Sequence, residues 1–349
     1  MLIKCSPSGW PAVLRSCWAL LLLSGGLGHA ASFDCSKAKT PLEKAVCGSP
    51  KLSAADNRMA AAYRAALATV PPEMKSAVRD DQVAWISAMG IACKAGVSAS
   101  STEQISLLGT FYESRTKELG RLVRHIGGVT FVWRSTTEIE LEDPDTKDPD
   151  AKMESRAAGL RPGYGTLHAS WPQSTGDTAE WRDWNSAIKT AAQNGLIGDA
   201  NTNEDITVEI VFAGKQLVAS EIVTFRMERG TPHPDDDSIE FNWLLQEKRE
   251  IQPADIFREG SDWDRAIQAS CVSALHKQLG NLPDDYADGR FAQKLHEVIV
   301  RPRNWRLAGQ GLTIIFQPYS VSDYADPADP VTIQWAALKP FLREPGLVQ

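Results

Sequence analysis

The chain has 349 residues, with 37 Lys+Arg against 44 Asp+Glu, a formal net charge of −7 and 43% hydrophobic residues. A length of this order builds its own hydrophobic core and argues for two folded units. The acidic balance argues against nucleic acid and anionic lipid as partners, because both are gripped through clustered Lys and Arg.

Lys4 and Arg15 are the only charges before Asp34, and the apolar run CWALLLLSGGLG at 17–28 follows them. Gly28-His29-Ala30 has the small-x-small pattern of a signal-peptidase site, so residues 1–30 read as a leader cleaved after Ala30. The run is shorter than the roughly 20 apolar residues that span a bilayer. The expected mature protein is therefore periplasmic or secreted, where disulfides persist. Cys35, Cys47, Cys93 and Cys271 remain as disulfide candidates, and spacing does not choose among their three possible pairings. They are too scattered for a CxxC-type zinc site. Charge then divides the mature chain. Residues 31–122 carry 12 Lys+Arg against 9 Asp+Glu, and residues 123–349 carry 23 against 35, so net +3 is followed by net −12.

Residues 31–122 read as all helical. Thr40-Pro41-Leu42-Glu43 is a capping box with Pro at the first helical position, giving a helix to about Cys47. Gly48-Ser49-Pro50 reads as its stop, and Ser53-Ala54-Ala55-Asp56 opens the next helix, with Met59, Tyr63 and Leu67 on one face. Pro71-Pro72 breaks that helix. A third carries Val78, Trp85 and Ile86 towards Cys93. A fourth begins near Thr102 and carries Leu108, Tyr112 and Leu119. In order, Phe33-Asp34-Cys35, Thr40, Glu43-Lys44-Ala45-Val46-Cys47, Leu52–Asp56, Gln82-x-x-Trp85, Cys93 and Tyr112-x-x-Arg115 resemble the LprI family of exported lysozyme inhibitors. Family members often carry one more cysteine five residues before the tyrosine, where this chain has Leu107. The resemblance implies protein binding rather than catalysis, and leaves one cysteine unpaired or reaching for Cys271.

From Gly128 the pattern turns to alternation. FVWRSTTEIELED reads as strand, and the acid-rich stretch 138–150 after it as a solvated loop. YGTLHASWPQ is a strand and Trp181–Ala192 a helix. Residues 206–227 form a hairpin around Ala213-Gly214-Lys215. SIEFNWLLQ is a strand, Ser261 opens a helix, and GLTIIFQPYSV and VTIQWAAL close the chain as strands. Strands in runs with inserted helices predict an α+β unit over 123–349 with a mostly antiparallel sheet, hence a multi-domain chain. HASWPQSTG, IQPADIF and IIFQPYSVSDYADPADPVTIQW in sequence resemble the extracytoplasmic domain of RsiV-type anti-sigma factors and the non-catalytic region of PdaC-type deacetylases. In RsiV that domain receives lysozyme. The deacetylase, membrane-spanning and sigma-binding parts have no counterpart here.

No HExxH, GxSxG or P-loop occurs, so a hydrolase or nucleotide site has no motif behind it. His233-Pro234-Asp235-Asp236-Asp237 could suit a hard cation, but reads more simply as a turn. No cofactor is expected. The combined expectation is a non-enzymatic lysozyme-binding or inhibiting protein, with a glycan-binding module of the cell envelope as the alternative on account of the many tryptophans. The candidate partner loops are 138–150, 233–237 and 319–329, with Glu140, Glu142, Asp143, His233, Asp235, Asp236, Tyr319, Asp323 and Tyr324 as the contact residues. A basic lysozyme would be drawn to this acidic half.

Overall fold

The computed structural model describes residues 31–95, 101–142, 164–228, 231–279, 289–322, 327–344 and 347. The leader expected at 1–30 and the candidates Asp143, Asp323 and Tyr324 lie outside the described residues.

Four helices come first. Helix α1 (Pro41–Gly48) opens on the full capping box: the Glu43 amide donates to the Thr40 hydroxyl at 3.1 Å, and the Glu43 carboxylate accepts from the Thr40 amide at 2.8 Å. Backbone N–H groups of Thr40 and Lys39 hold the Glu43 carboxyl below its ordinary range. Helix α2 (Pro50–Thr69) starts earlier than its sequence suggests. Ser49 accepts from the Leu52 amide and caps it, so Pro50 is the first helical residue rather than a stop. Helices α3 (Lys75–Ala95) and α4 (Ser101–Gly120) complete the set.

Cys35 and Cys47 form a disulfide that ties the segment before α1 to the end of that helix. Cys93 and Cys271 do not pair. Cys93 is buried in the core of the helices and Cys271 in a separate core further along the chain, so each is a free thiol. Burial pushes both thiols upward, that of Cys271 to about 12. The disulfide closes a loop with a sequence separation of 12. Replacing both Cys35 and Cys47 by Ser is therefore expected to cost about 2 kcal/mol, read as a lower thermal midpoint; no change would show that the capping box alone secures α1.

The strands follow: β1 (Val123–Ile126), β2 (Val129–Leu141), β3 (Tyr164–Ser174), β4 (Thr202–Ala213), β5 (Leu217–Glu228), β6 (Asp235–Leu244) and β7 (Arg249–Glu250). They form one sheet in sequential order, and every pairing is antiparallel except β3 with β4. That exception follows from connectivity, since helix α5 (Ala179–Asn194) carries the chain back between them. The β1–β2 hairpin turns on Gly127 and Gly128 at φ +59 and +81. A Cβ on Gly127 would meet the Ala213 carbonyl oxygen at 1.7 Å, so only glycine fits. Beyond the sheet come α6 (Trp263–Leu279), α7 (Arg290–Ile299) and a second, three-stranded antiparallel sheet of β8 (Trp305–Ala308), β9 (Gly311–Ile314) and β10 (Val331–Gln334).

Two cores result. One runs without a break from the helices into the large sheet and α5, with Trp184 packed edge-on against Phe131 and Trp181. The other holds α6, α7 and the small sheet, around Phe257, Trp263 and Trp305. The multi-domain architecture is thus a helical N-terminal region joined to a strand-rich, mostly antiparallel C-terminal region. The outer edge of β6 is closed at Ser238 by a side chain. The Gln317 amide accepts from the Ser238 N–H and donates to its carbonyl, taking the place of a neighbouring strand.

Candidate functional site

The register of the large sheet places Thr137, His168, Asp205, Phe225 and Asp236 side by side across five strands. Cross-strand partners share a face, so these five line one surface. The next row on the same face is Ser135, Ser170, Thr207, Val223 and Ser238.

Helix α4 covers one end of this face through charged bonds. Arg115, 2% exposed, donates to Gln82 at 3.1 Å, to Glu118 at 2.8 Å and to Ser135 on β2 at 2.8 Å. Glu118 in turn lies 3.4 Å from His168, whose other ring nitrogen bonds Thr137 at 2.9 Å. A second clamp joins α3 to β2: Arg134 grips Asp81 with two bonds of 2.6 and 2.7 Å. At the far end of the face, Arg306 of β8 pairs with Glu221 and Glu240.

Between these two covers, β4 and β5 are open. Phe225 is 42% and Val223 38% exposed, and Asp205 faces solvent. Two adjoining clefts open here. One, of about 300 Å³, has walls from Trp85, Phe111 and Phe225 and carries Glu118, Asp205 and Asn203. The other, of about 240 Å³, continues towards Trp133 and the Arg124–Glu209 ion pair, with the Arg124 guanidinium 4.1 Å from the Trp133 ring.

The Thr137–His168–Glu118 array puts a hydroxyl, an imidazole and a carboxylate in line. Thr137 is buried in the middle of β2, with its backbone committed to the sheet ladder. The array suits fixing α4 on the sheet. Among the described residues, no three His, Cys, Asp or Glu side chains are grouped to hold a metal ion.

The structure separates the candidate contact residues. Asp236 joins the row of the open face, and Asp235 beside it lies 3.8 Å from Arg226. Both sit at the start of β6, so the 233–237 stretch is a strand entry rather than a turn alone. His233 bonds the Pro234 carbonyl. Glu140 alternates to the other face of β2, and Glu142 follows the end of that strand. Tyr319 is 63% exposed in a left-handed conformation at φ +62, two residues from Gln317. The sequence reading did not single out Glu118, His168, Asp205 or Phe225.

Apart from Trp85 and Trp133, which border the two clefts, the tryptophans lie away from the open face. Trp171, Trp184 and Trp305 are buried, and Trp181, Trp243, Trp263 and Trp335 are half-buried and pack against the two cores. Among the described residues, no helix is long and apolar enough to cross a membrane.

A family model described as "Lysozyme inhibitor LprI" matches residues 35–119, which span α1 to α4. Its region includes Gln82, Trp85, Tyr112 and Arg115, and their roles here are structural: Trp85 meets Tyr112 edge-on at 5.1 Å, and Gln82 receives Arg115. No curated protein matches the chain. Among solved structures, a DUF3298 family member from Bacteroides fragilis is similar with a TM-score of 0.41 at 15% identity, covering 63% of this chain and 96% of that one. A DUF3298 family protein from Pseudomonas aeruginosa has a TM-score of 0.41 at 12% identity, covering 61% and 94%. Similarity at that level fixes neither fold detail nor function.

Proposed function

We propose that this chain is an exported, non-enzymatic protein that binds a lysozyme, or a related basic peptidoglycan hydrolase, and inhibits it. The observation that carries this reading is the lysozyme-inhibitor description matched by α1 to α4. The second half, which resembles the lysozyme-receiving domain of RsiV-type proteins, supplies charge: net −12 over residues 123–349 attracts a cationic enzyme from about a Debye length away. The Cys35–Cys47 disulfide and the leader at 1–30 suit a periplasmic or secreted site of action. Helices and sheet share one core, so the two halves act as one binding body.

The alternative of a glycan-binding module rests on exposed indoles for sugar stacking. The indoles of Trp171, Trp181, Trp184, Trp243, Trp263, Trp305 and Trp335 are spent in the two cores instead.

Turbidity of a cell-wall suspension, with the mature chain 31–349 added to a basic lysozyme, tests the proposal. Lysis slows in proportion to the added protein, and the affinity falls by about tenfold as ionic strength rises several-fold. Absence of binding at low salt to each of several lysozyme types would falsify the reading.

A further inference from the structure

We propose that the cleft between α4 and strands β3 to β5 receives a lysine or arginine side chain of the partner protein. This rests on the reading above that the partner is a basic hydrolase, and it names where the contact is made.

The lining of this cleft is aromatic and acidic, while the basic residues Arg115, Lys117, Arg121, Arg124 and Arg134 line the adjoining one, which Glu118 and Asp205 also border. Trp85, Phe111 and Phe225 give apolar walls, Glu118 and Asp205 give carboxylates, and no Lys or Arg lines it. Asp205 enters no ion pair among the described residues, and its neighbours in the row are His168 and Phe225. Glu118 turns one oxygen to Arg115 and the other towards His168 at the cleft wall. Such a volume, about 300 Å³, admits one long side chain. Its methylenes would lie on Phe111 and Phe225, and its charged head would meet Asp205 and Glu118. An aromatic wall beside a carboxylate adds cation–π attraction. Phe225 is exposed in mid-strand between Asp205 and Asp236, and Val223 in the next row of the same strand is exposed as well. Neutral glycan strands offer no cation to Asp205 and Glu118.

The cleft is also composite. Trp85, Phe111 and Glu118 come from α3 and α4, whereas Asp205 and Phe225 come from β4 and β5. The pocket therefore exists only where the helices sit on the sheet.

The test uses the whole mature chain. Asp205→Lys is expected to weaken binding to a basic lysozyme by more than about tenfold, and Phe225→Ala by a few-fold. Asp262→Lys alters an exposed acid on the other core, whose ion-pair partner among the described residues is Arg265, and is expected to weaken binding less than about twofold. Equal losses for Asp205→Lys and Asp262→Lys would mean that only the overall field acts, and would overturn the cleft. Calorimetric titration with N-acetyl-arginine amide gives an independent arm: it binds the wild type, competes with lysozyme, and fails to bind Asp205→Lys. If lysozyme binds and none of the variants weakens it, the cleft is overturned and the lysozyme reading stands. If lysozyme does not bind at all, that reading fails, and the arginine amide alone decides the cleft: no binding to the wild type overturns it. A neutral chitin oligomer that binds the wild type and not Asp205→Lys also overturns it, assigning the cleft to glycan.

Discussion

Replacing Arg115 by Ala is expected to lower stability by about 3 to 5 kcal/mol. Arg115 is 2% exposed and reaches three partners on three elements: Gln82 of α3, Glu118 of α4 and Ser135 of β2. Truncation removes these charged hydrogen bonds and leaves the Glu118 carboxylate, 30% exposed, without its cation. It also leaves a void where the buried side chain stood. Arg115→Lys keeps the charge but lacks the fork that serves Gln82 and Ser135 together, so it recovers only part of the loss. Urea denaturation reads the effect as a lower midpoint at constant slope. A loss under about 1 kcal/mol would show that the helices are held on the sheet by apolar contacts and the Arg134–Asp81 clamp alone. The same variant loosens the wall that carries Glu118, so binding is expected to weaken with stability.

The residues that make Arg115 recognisable in the sequence are therefore those that join the helices to each other and to the sheet. This separates what was legible from what was not. Local signals were readable: the Thr40–Glu43 capping box, the break at Pro71-Pro72, and the alternation of β2, β4 and β5 each act within a few residues. Ser49-Pro50 misled because a cap followed by proline both ends one helix and starts the next. Strand β1 has four residues, too few for alternation to show, and depends on the Gly127-Gly128 turn. The closing segment VTIQWAAL is strand only to Gln334, and Trp335 begins a short helix. The open face was out of reach for a different reason. His168, Asp205 and Phe225 stand on three separate strands that only the pairing register aligns, and Glu118 reaches them from α4 through helix packing. Charge counting pointed to acidic loops instead, because runs of acids stand out in a sequence and isolated acids on strands do not. Asp236 is where the two approaches meet: it belongs to an acidic run and also completes the row beside Phe225.

The junction between the large sheet and the second core is expected to make stability depend on pH, through Glu240. Its side chain is buried on β6, where Arg306 donates to one oxygen at 2.8 Å and the other has no hydrogen-bond partner. Burial raises its carboxyl from an ordinary 4.5 to about 7; Arg306 opposes the rise and the neighbouring Glu221 adds to it. The folded state thus holds the proton more tightly than the unfolded chain does. Glu240 contributes fully to stability below about pH 4.5, and the contribution declines as pH rises to about 7 and is gone above it. That difference corresponds to about 3 kcal/mol. Glu240→Gln keeps the shape and accepts from Arg306, so it is expected to unfold at higher temperature than the wild type at pH 8 and to match it near pH 5. Other groups titrate over the same range, so the informative quantity is the wild-type-minus-variant difference in thermal midpoint, followed from pH 4 to 9. Arg306→Leu, which leaves Glu221 and Glu240 facing each other without the cation between them, steepens the decline. A difference curve that stays flat across that range would mean that Glu240 remains ionised in the folded protein, held by Arg306 despite its burial. It would make the junction an ordinary buried ion pair rather than a protonated one.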